Sequence, residues 1–284
     1  MKNTHLFNDL DYKSYNAKHK INDLVEVNLD DYGELDSKQV RSTFYSVDPT
    51  NQESYTPELD DLIRLHYLVK TRKVTTILEF GLGKSSIVFA DALSQNKSDY
   101  SEEVSSLRVS NPFELHSIEN NIGWIEYTKK SIKEKLGTTN ELVNLHYCPL
   151  EIGQFNGRMC TYYHNIPNIS PDLIYLDGPD QFSAGGSLRG MGTNHPDRMP
   201  MAADILSIEH FLCPGTLIVL DGRTANARFL KCNLQRDWAY CHDYNLDQHF
   251  FELIEEPLGI YNSDHINFSL GEDWFSNNKH LLKK

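Results

Sequence analysis

The sequence predicts an α/β protein built on a mostly parallel sheet with helices on both faces. Three observations carry this. From Thr75 onward, short apolar runs alternate with amphipathic segments, which is the pattern of strands joined by helical crossovers. The first apolar run, Ile77-Leu78-Glu79-Phe80, stops at Gly81-Leu82-Gly83 and continues as Lys84-Ser85-Ser86. Such a strand, glycine turn and helix hold nucleotide-like ligands in several protein classes. Finally, four of the first five strands carry an acid at or near their ends: Glu79, Glu119, Asp177 and Asp221. Buried strands seldom carry acids without a partner, so these line a polar site at the carboxyl ends of the strands.

The elements follow in order. Residues 1–55 are polar and acidic and read as an extension or lid, with one short strand over 24–29; the main domain is 56–284. Pro57, the acids behind it and an apolar face from Leu59 to Val69 predict a helix over 57–72. Strand one is 75–80 and the next helix is 85–95. Residues 96–112 are polar and read as an inserted loop. Then come a strand at 113–119, an amphipathic helix at 124–136, and strands at 142–148 and 172–177. A glycine-rich loop leads to a helix at 201–212, a strand at 216–221 and a helix at 227–238. Two final strands are expected at 249–256 and 265–270, with an antiparallel arrangement.

Bulk composition excludes several functions. The chain has 284 residues, is 39% hydrophobic, and carries a formal charge of -13. That field repels a phosphate backbone, so nucleic acid is not an expected partner. The five cysteines, Cys148, Cys160, Cys213, Cys232 and Cys241, show neither zinc-site spacing nor a disulfide framework. Reduced thiols and the lack of an apolar N-terminal run predict a cytoplasmic protein. No run of about 18 apolar residues is present, so no membrane span is expected.

The glycine turn admits three ligands. An ATP loop needs G-x-x-x-x-G-K-[ST], but Leu78 stands five residues before Gly83, inside the strand. The NAD fingerprint needs a third glycine or alanine, where this chain has Ser86. Glu79, two residues before the first glycine, would also face a pyrophosphate. A ligand that is cationic rather than phosphorylated removes that conflict.

At this point the sequence resembles a family. ILEFGLGKSS is similar to motif I of the class I S-adenosylmethionine-dependent methyltransferases, SIENN to the acidic end of their second strand, DLIYLDG to their fourth-strand motif, and CPGTLIVLDG to their fifth-strand segment. The resemblance covers about residues 60–270 and implies a Rossmann-like methyltransferase fold with a seven-stranded, mostly parallel sheet. It implies that Gly81 and Gly83 let the backbone approach S-adenosylmethionine, that Ser85 is also among the cofactor-binding residues, and that Glu79 anchors its amino acid end, directly or through water. Glu119 would take the ribose diol, residues near Leu150 and Glu151 would flank the adenine, and Asp177 would sit between the methionine portion and the acceptor.

Methyl transfer to a hydroxyl also calls for proton removal. The loop at 177–200 leaves the fourth-strand end, and long loops of this kind are often functional. His195 is the best base candidate within it, since its ordinary pKa lies near neutral; Asp177 and Asp180 are the acids beside it. Arg189 and Arg198 could clamp an anionic acceptor or be solvated. By analogy with the metal-dependent catechol-type enzymes, Asp177 and Asp221 could share a divalent cation such as magnesium. The Asn those enzymes place after the fifth-strand Asp is Gly222 here, which puts that cation in doubt. The cluster His242, Asp243, Asp247 and His249 matches no known metal motif and reads as a solvated turn. The expectation is an O-methyltransferase acting on a small-molecule or carbohydrate hydroxyl, with a homodimer as a possible assembly. The alternatives are an NAD or nucleotide enzyme and a non-catalytic cofactor-binding module.

Overall fold

A computed structural model describes residues 5–29, 58–180, 182–193 and 201–282. The expected boundary between extension and main domain, at 55/56, lies outside the described residues. So do His195, Asp197 and Arg198.

The chain opens with α1 (Tyr12–His19) and α2 (Ile21–Val25). The strand expected at 24–29 is therefore absent: Val25 ends a helix, and Glu26 turns the chain with φ 59°. Asp11 caps α1 by accepting the Ser14 N–H at 2.7 Å. Both helices dock on α3 (Leu59–Thr71), burying Tyr12, Ile21 and Val25. Arg64 of α3 is a buried tie. It donates to Tyr12 Oη at 3.2 Å, to Asp60 at 2.8 Å and to Gln248 at 3.0 Å, and it also pairs with Asp61.

The main body alternates as expected: β1 (Thr76–Phe80), α4 (Lys84–Ser105), β2 (Glu114–Glu119), α5 (Ile122–Leu136) and β3 (Val143–Tyr147). A hairpin follows, β4 (Leu150–Phe155) and β5 (Arg158–Tyr163). Then come β6 (Leu173–Leu176), α6 (Asp204–Ile208), β7 (Leu217–Asp221), α7 (Thr224–Asn233), β8 (Trp238–Asp243), β9 (Gln248–Leu253), α8 (Ile260–Ser269) and α9 (Trp274–Asn278).

Seven strands form one sheet in the order β3-β2-β1-β6-β7-β9-β8. The first five run parallel; β9 inserts antiparallel between β7 and β8. This order, with its antiparallel penultimate strand, is the Rossmann-like methyltransferase fold. Alternate residues of the strands build the two faces. Ile77, Leu115, Leu173, Tyr175 and Val219 pack under α3 and α4, while Leu78, Phe80, Ile174, Leu176 and Leu220 pack under α6, α7 and the β4–β5 hairpin. Burying both faces makes these strands continuous apolar runs.

Two further expectations fail. The polar stretch at 96–112 is no inserted loop in its first part, because α4 continues to Ser105. Asn96 explains the continuity: its amide donates to the Val69 and Val74 carbonyls at 3.0 Å each, tying α4 to the end of α3. The expected strand at 265–270 is helix α8; its place in the sheet is taken by β8, from a segment read in part as helix.

Candidate functional site

The carboxyl ends of β1, β2, β6 and β7 meet at one pole of the sheet. Gly81 follows β1 with φ +85°, a region that L side chains avoid. A Cβ on Gly81 would stand 2.7 Å from the Gly178 nitrogen, and one on Gly178 would stand 2.7 Å from Gly81. The two strand-end turns therefore touch backbone to backbone, and only glycines permit it. Gly83 differs. A Cβ there would meet nothing within 4 Å, so its face borders open space at the start of α4.

Glu79 is held inside the protein by three serines. Its carboxylate is fully buried and accepts from three hydroxyls: Ser85 and Ser86 at 2.6 Å and Ser117 at 2.5 Å. Burial pushes its pKa up to about 7, against the three serine bonds, and the nearby Asp177 adds to the rise. Ser86 Oγ also accepts the Gly83 N–H at 3.1 Å. Glu79 thus holds the glycine turn in shape through Ser86, and Ser85 points its hydroxyl at Glu79.

Glu119 lies at the same pole as the glycine turn. It ends β2, half-buried, and one oxygen accepts the Asn120 and Asn121 N–H groups at 2.8 and 2.9 Å. Burial raises its pKa, and Asp180 raises it further. Asp177 and Asp180 are exposed on the turn after β6. Arg223, just after β7, donates to the Asp177 carbonyl at 2.7 Å and the Pro179 carbonyl at 3.0 Å, so it braces that turn. Its charge lies near Asp177, Asp180 and Tyr163.

Three buried polar atoms at this pole have no hydrogen-bond partner: Asn120 Oδ1, Tyr163 Oη and Arg223 Nε. Buried polar groups are nearly always paired, so three unpaired ones at the glycine-turn end of the sheet are candidates for meeting a ligand's polar groups. An oxygen acceptor, a hydroxyl and a guanidinium N–H suit a nucleoside-sized ligand with both donors and acceptors.

The β4–β5 hairpin walls the site. Leu150 is buried at its base, and Gly185 of the long loop bonds it through Gly185 N–Leu150 O at 2.9 Å and Ile152 N–Gly185 O at 3.0 Å. Glu151 is exposed and pairs with His164 at 2.7 Å. Arg189 is exposed on the loop, with φ 52°. The sequence reading missed the hairpin, and with it Tyr163; the signal was Asn156-Gly157, where both residues have positive φ, 47° and 74°, as a two-residue hairpin turn requires.

The magnesium expectation rests on two acids, Asp177 and Asp221. The groups of three or more metal-ligating side chains among the described residues are His242-Asp247-His249 and Glu58-Asp60-Asp61; neither includes Asp177 or Asp221. The cation beside Asp177 is the Arg223 guanidinium.

No family model matches the chain. No curated protein matches it. Solved structures do. An SAH-bound methyltransferase of Podospora anserina is 13% identical, over 70% of this chain and 80% of that one, with a TM-score of 0.40. The C-terminal domain of precorrin-6Y C5,15-methyltransferase from Rhodobacter capsulatus is 12% identical, over 70% and 90%, with a TM-score of 0.38. The O-methyltransferase TomG of Streptomyces achromogenes, in complex with SAM, is 17% identical, over 70% and 81%, with a TM-score of 0.37. These are distant likenesses, and the fold class rests on the order and direction of the strands. No helix among the described residues is long and apolar enough to cross a membrane.

Proposed function

We propose that this chain is a class I S-adenosylmethionine-dependent methyltransferase that methylates a hydroxyl of a small molecule or sugar. One observation supports it most: the open face of Gly83 lies in the same pole as Glu119 and three unpaired buried polar atoms. When bound, the donor supplies a methyl already activated on a sulfonium. The chain's own residues then bind, align and exclude water. Glu119 keeps a carboxylate at the end of β2 that suits two neighbouring ribose hydroxyls. Asp177 and Asp180 make the rim negative, which favours a sulfonium and an ammonium over a pyrophosphate. Arg223 fixes the turn that carries both acids. Proton removal from the acceptor falls to the loop after β6, with His195 and the rim acids as candidates. The Arg223 guanidinium already supplies a cation beside Asp177, so no step is routed through magnesium.

A nucleotide ligand is the second reading, and one observation favours it. Glu79 is sequestered by its serines, so it no longer opposes a phosphate at the glycine turn. Against it, the Gly83 N–H is used by Ser86 and is not available to an anion.

Calorimetric titration of S-adenosylhomocysteine, ATP and NAD into the protein separates the readings. Binding of S-adenosylhomocysteine alone, abolished by Glu119→Ala in a folded variant, supports the methyltransferase. Tighter binding of ATP or NAD, or no binding of S-adenosylhomocysteine, contradicts it.

A further inference from the structure

At the edge of the sheet, the β8–β9 hairpin brings two imidazoles and a carboxylate together. His242 and His249 are direct cross-strand partners, and their rings stack with centroids 3.8 Å apart and planes 25° from parallel. Asp247 sits in the turn between the strands, with φ 49°. One ligating atom from each residue lies within 4.8 Å of the others. Two metal bonds of 2.0–2.1 Å at a tetrahedral angle space their ligand atoms roughly 3.3 Å apart, so side-chain rotation alone closes the set.

The protonation and orientation of the imidazoles fit ligation. His242 Nε2 is buried with no hydrogen-bond partner. His249 is fully buried; its Nδ1 lies 2.9 Å from Tyr240 Oη and its Nε2 lies 3.1 Å from Thr224 Oγ1. Donating Nδ1–H to Tyr240 leaves Nε2 as a lone pair, and the Thr224 hydroxyl is the group a metal would displace. A ligating histidine held by a hydrogen bond at its other nitrogen is the usual outer support of a metal site. The charges facing them are Arg228, which opposes a cation, and Asp243 and Asp247, which favour one. Asp243 is occupied by its own turn, accepting the Asn245 and Leu246 N–H groups at 3.0 and 3.4 Å.

We propose that His242, Asp247 and His249 bind one divalent transition metal of the zinc class. Two imidazole nitrogens and one carboxylate oxygen are too soft a set for magnesium and suit zinc, with a water completing the shell. The site is separate from Asp177 and Asp221 and independent of the methyltransferase reading. It lies at the carboxyl pole, since Gln248 pairs with Asp221 and the Gly222 N–H donates to the Asp247 carbonyl at 2.8 Å. Metal there staples the β8–β9 turn beside the β7 strand end. The sequence reads this cluster as a solvated turn, whereas Asp243 and His249 are buried, and the two histidines are brought opposite each other by strand pairing, not by spacing.

The test is zinc titration of untagged, metal-stripped protein against a chromophoric chelator, alongside thermal unfolding with and without zinc. The proposal predicts one equivalent bound and a melting temperature that rises with zinc concentration. His242→Gln and Asp247→Asn, both at half-buried positions, should each weaken binding at least about tenfold and remove the thermal shift, while remaining folded by near-ultraviolet circular dichroism. His116→Gln and His164→Gln should leave it unchanged. No zinc uptake by the wild-type chain, or uptake that survives both His242→Gln and Asp247→Asn, overturns the proposal.

Discussion

The two poles of the sheet differ in what they offer a ligand. At the amino ends of β1, β6 and β7 lies a cavity of 490 Å³. Its acids and their partners are paired. Asp172 accepts from Thr75 N at 2.7 Å, Thr75 Oγ1 at 2.6 Å and Thr76 N at 3.1 Å, and faces His265 at 3.3 Å. Arg72 holds Glu252 at 3.0 Å and the Gly215 carbonyl at 2.8 Å. At the carboxyl ends, Asn120, Tyr163 and Arg223 keep buried atoms unpaired beside the glycine turn. Empty volume marks loose packing; unpaired polar atoms mark where a ligand completes the structure. That contrast is what supports the proposed binding at the carboxyl pole, although a large cavity lies at the other.

The glycine turn offers the largest effects. Gly178→Ala should cost about 3 kcal/mol or more, because its Cβ would enter the Gly81 backbone. Gly83→Ala should change stability by no more than about 0.5 kcal/mol, since its Cβ meets nothing, yet weaken S-adenosylhomocysteine. Urea midpoints and calorimetry on both variants check this; a Gly83→Ala protein that binds normally would break the link between that face and the ligand.

The amino pole sets the next effect. Asp172→Ala should cost about 2–3 kcal/mol, somewhat less than a fully buried pair, without altering S-adenosylhomocysteine binding. Burial pushes the Asp172 carboxyl up, but His265 and the Thr75 donors outweigh it and hold it below the usual value of 3.8. Asp172 raises the His265 imidazole above its usual 6.5. The carboxylate's share of stability is present above about pH 4 and is lost as pH falls through its lowered pKa. The imidazole's share is present below about pH 6.5 and is lost as pH rises through its raised pKa. The pair therefore contributes most between these limits, and denaturation of wild type and variant across pH should show a difference that narrows on both sides.

A pH-dependent effect comes from Asp204, behind the site wall. It accepts the Tyr163 N–H at 2.9 Å, but burial pushes its pKa up to about 7 from 3.8. The folded state then holds a proton that the unfolded state has released, so stability falls as pH rises from about 4 to 7. Asp204→Asn keeps the acceptor and removes the ionisation. It should raise the urea midpoint at pH 8 and lose that advantage near pH 4. An equal effect at both pH values would show that the carboxyl is not charged at the higher one.

The parallel strands were legible because both faces are buried, which turns each into an apolar run bounded by glycine, proline or an acid. Glu119 was legible for the same reason, as a charge at a strand end. Glu79 was legible as an acid but not as a buried one; only the fold brings Ser117 of β2 against it beside Ser85 and Ser86. The outer half of α4 showed no apolar periodicity because it buries only Val104 beyond Asn96. Segment 265–270 alternates like a strand, yet α8 buries little besides Ile266, so its local pattern carried scant information. Arg223 and Tyr163 lie far apart in the chain and gave no joint signal.

Hydrogen exchange with and without S-adenosylhomocysteine compares the poles most directly. The account predicts slower exchange over 81–86 and 119–123, with no change over 108–111 and 258–266. Protection confined to the second pair of segments, or protection at neither pole, would contradict it.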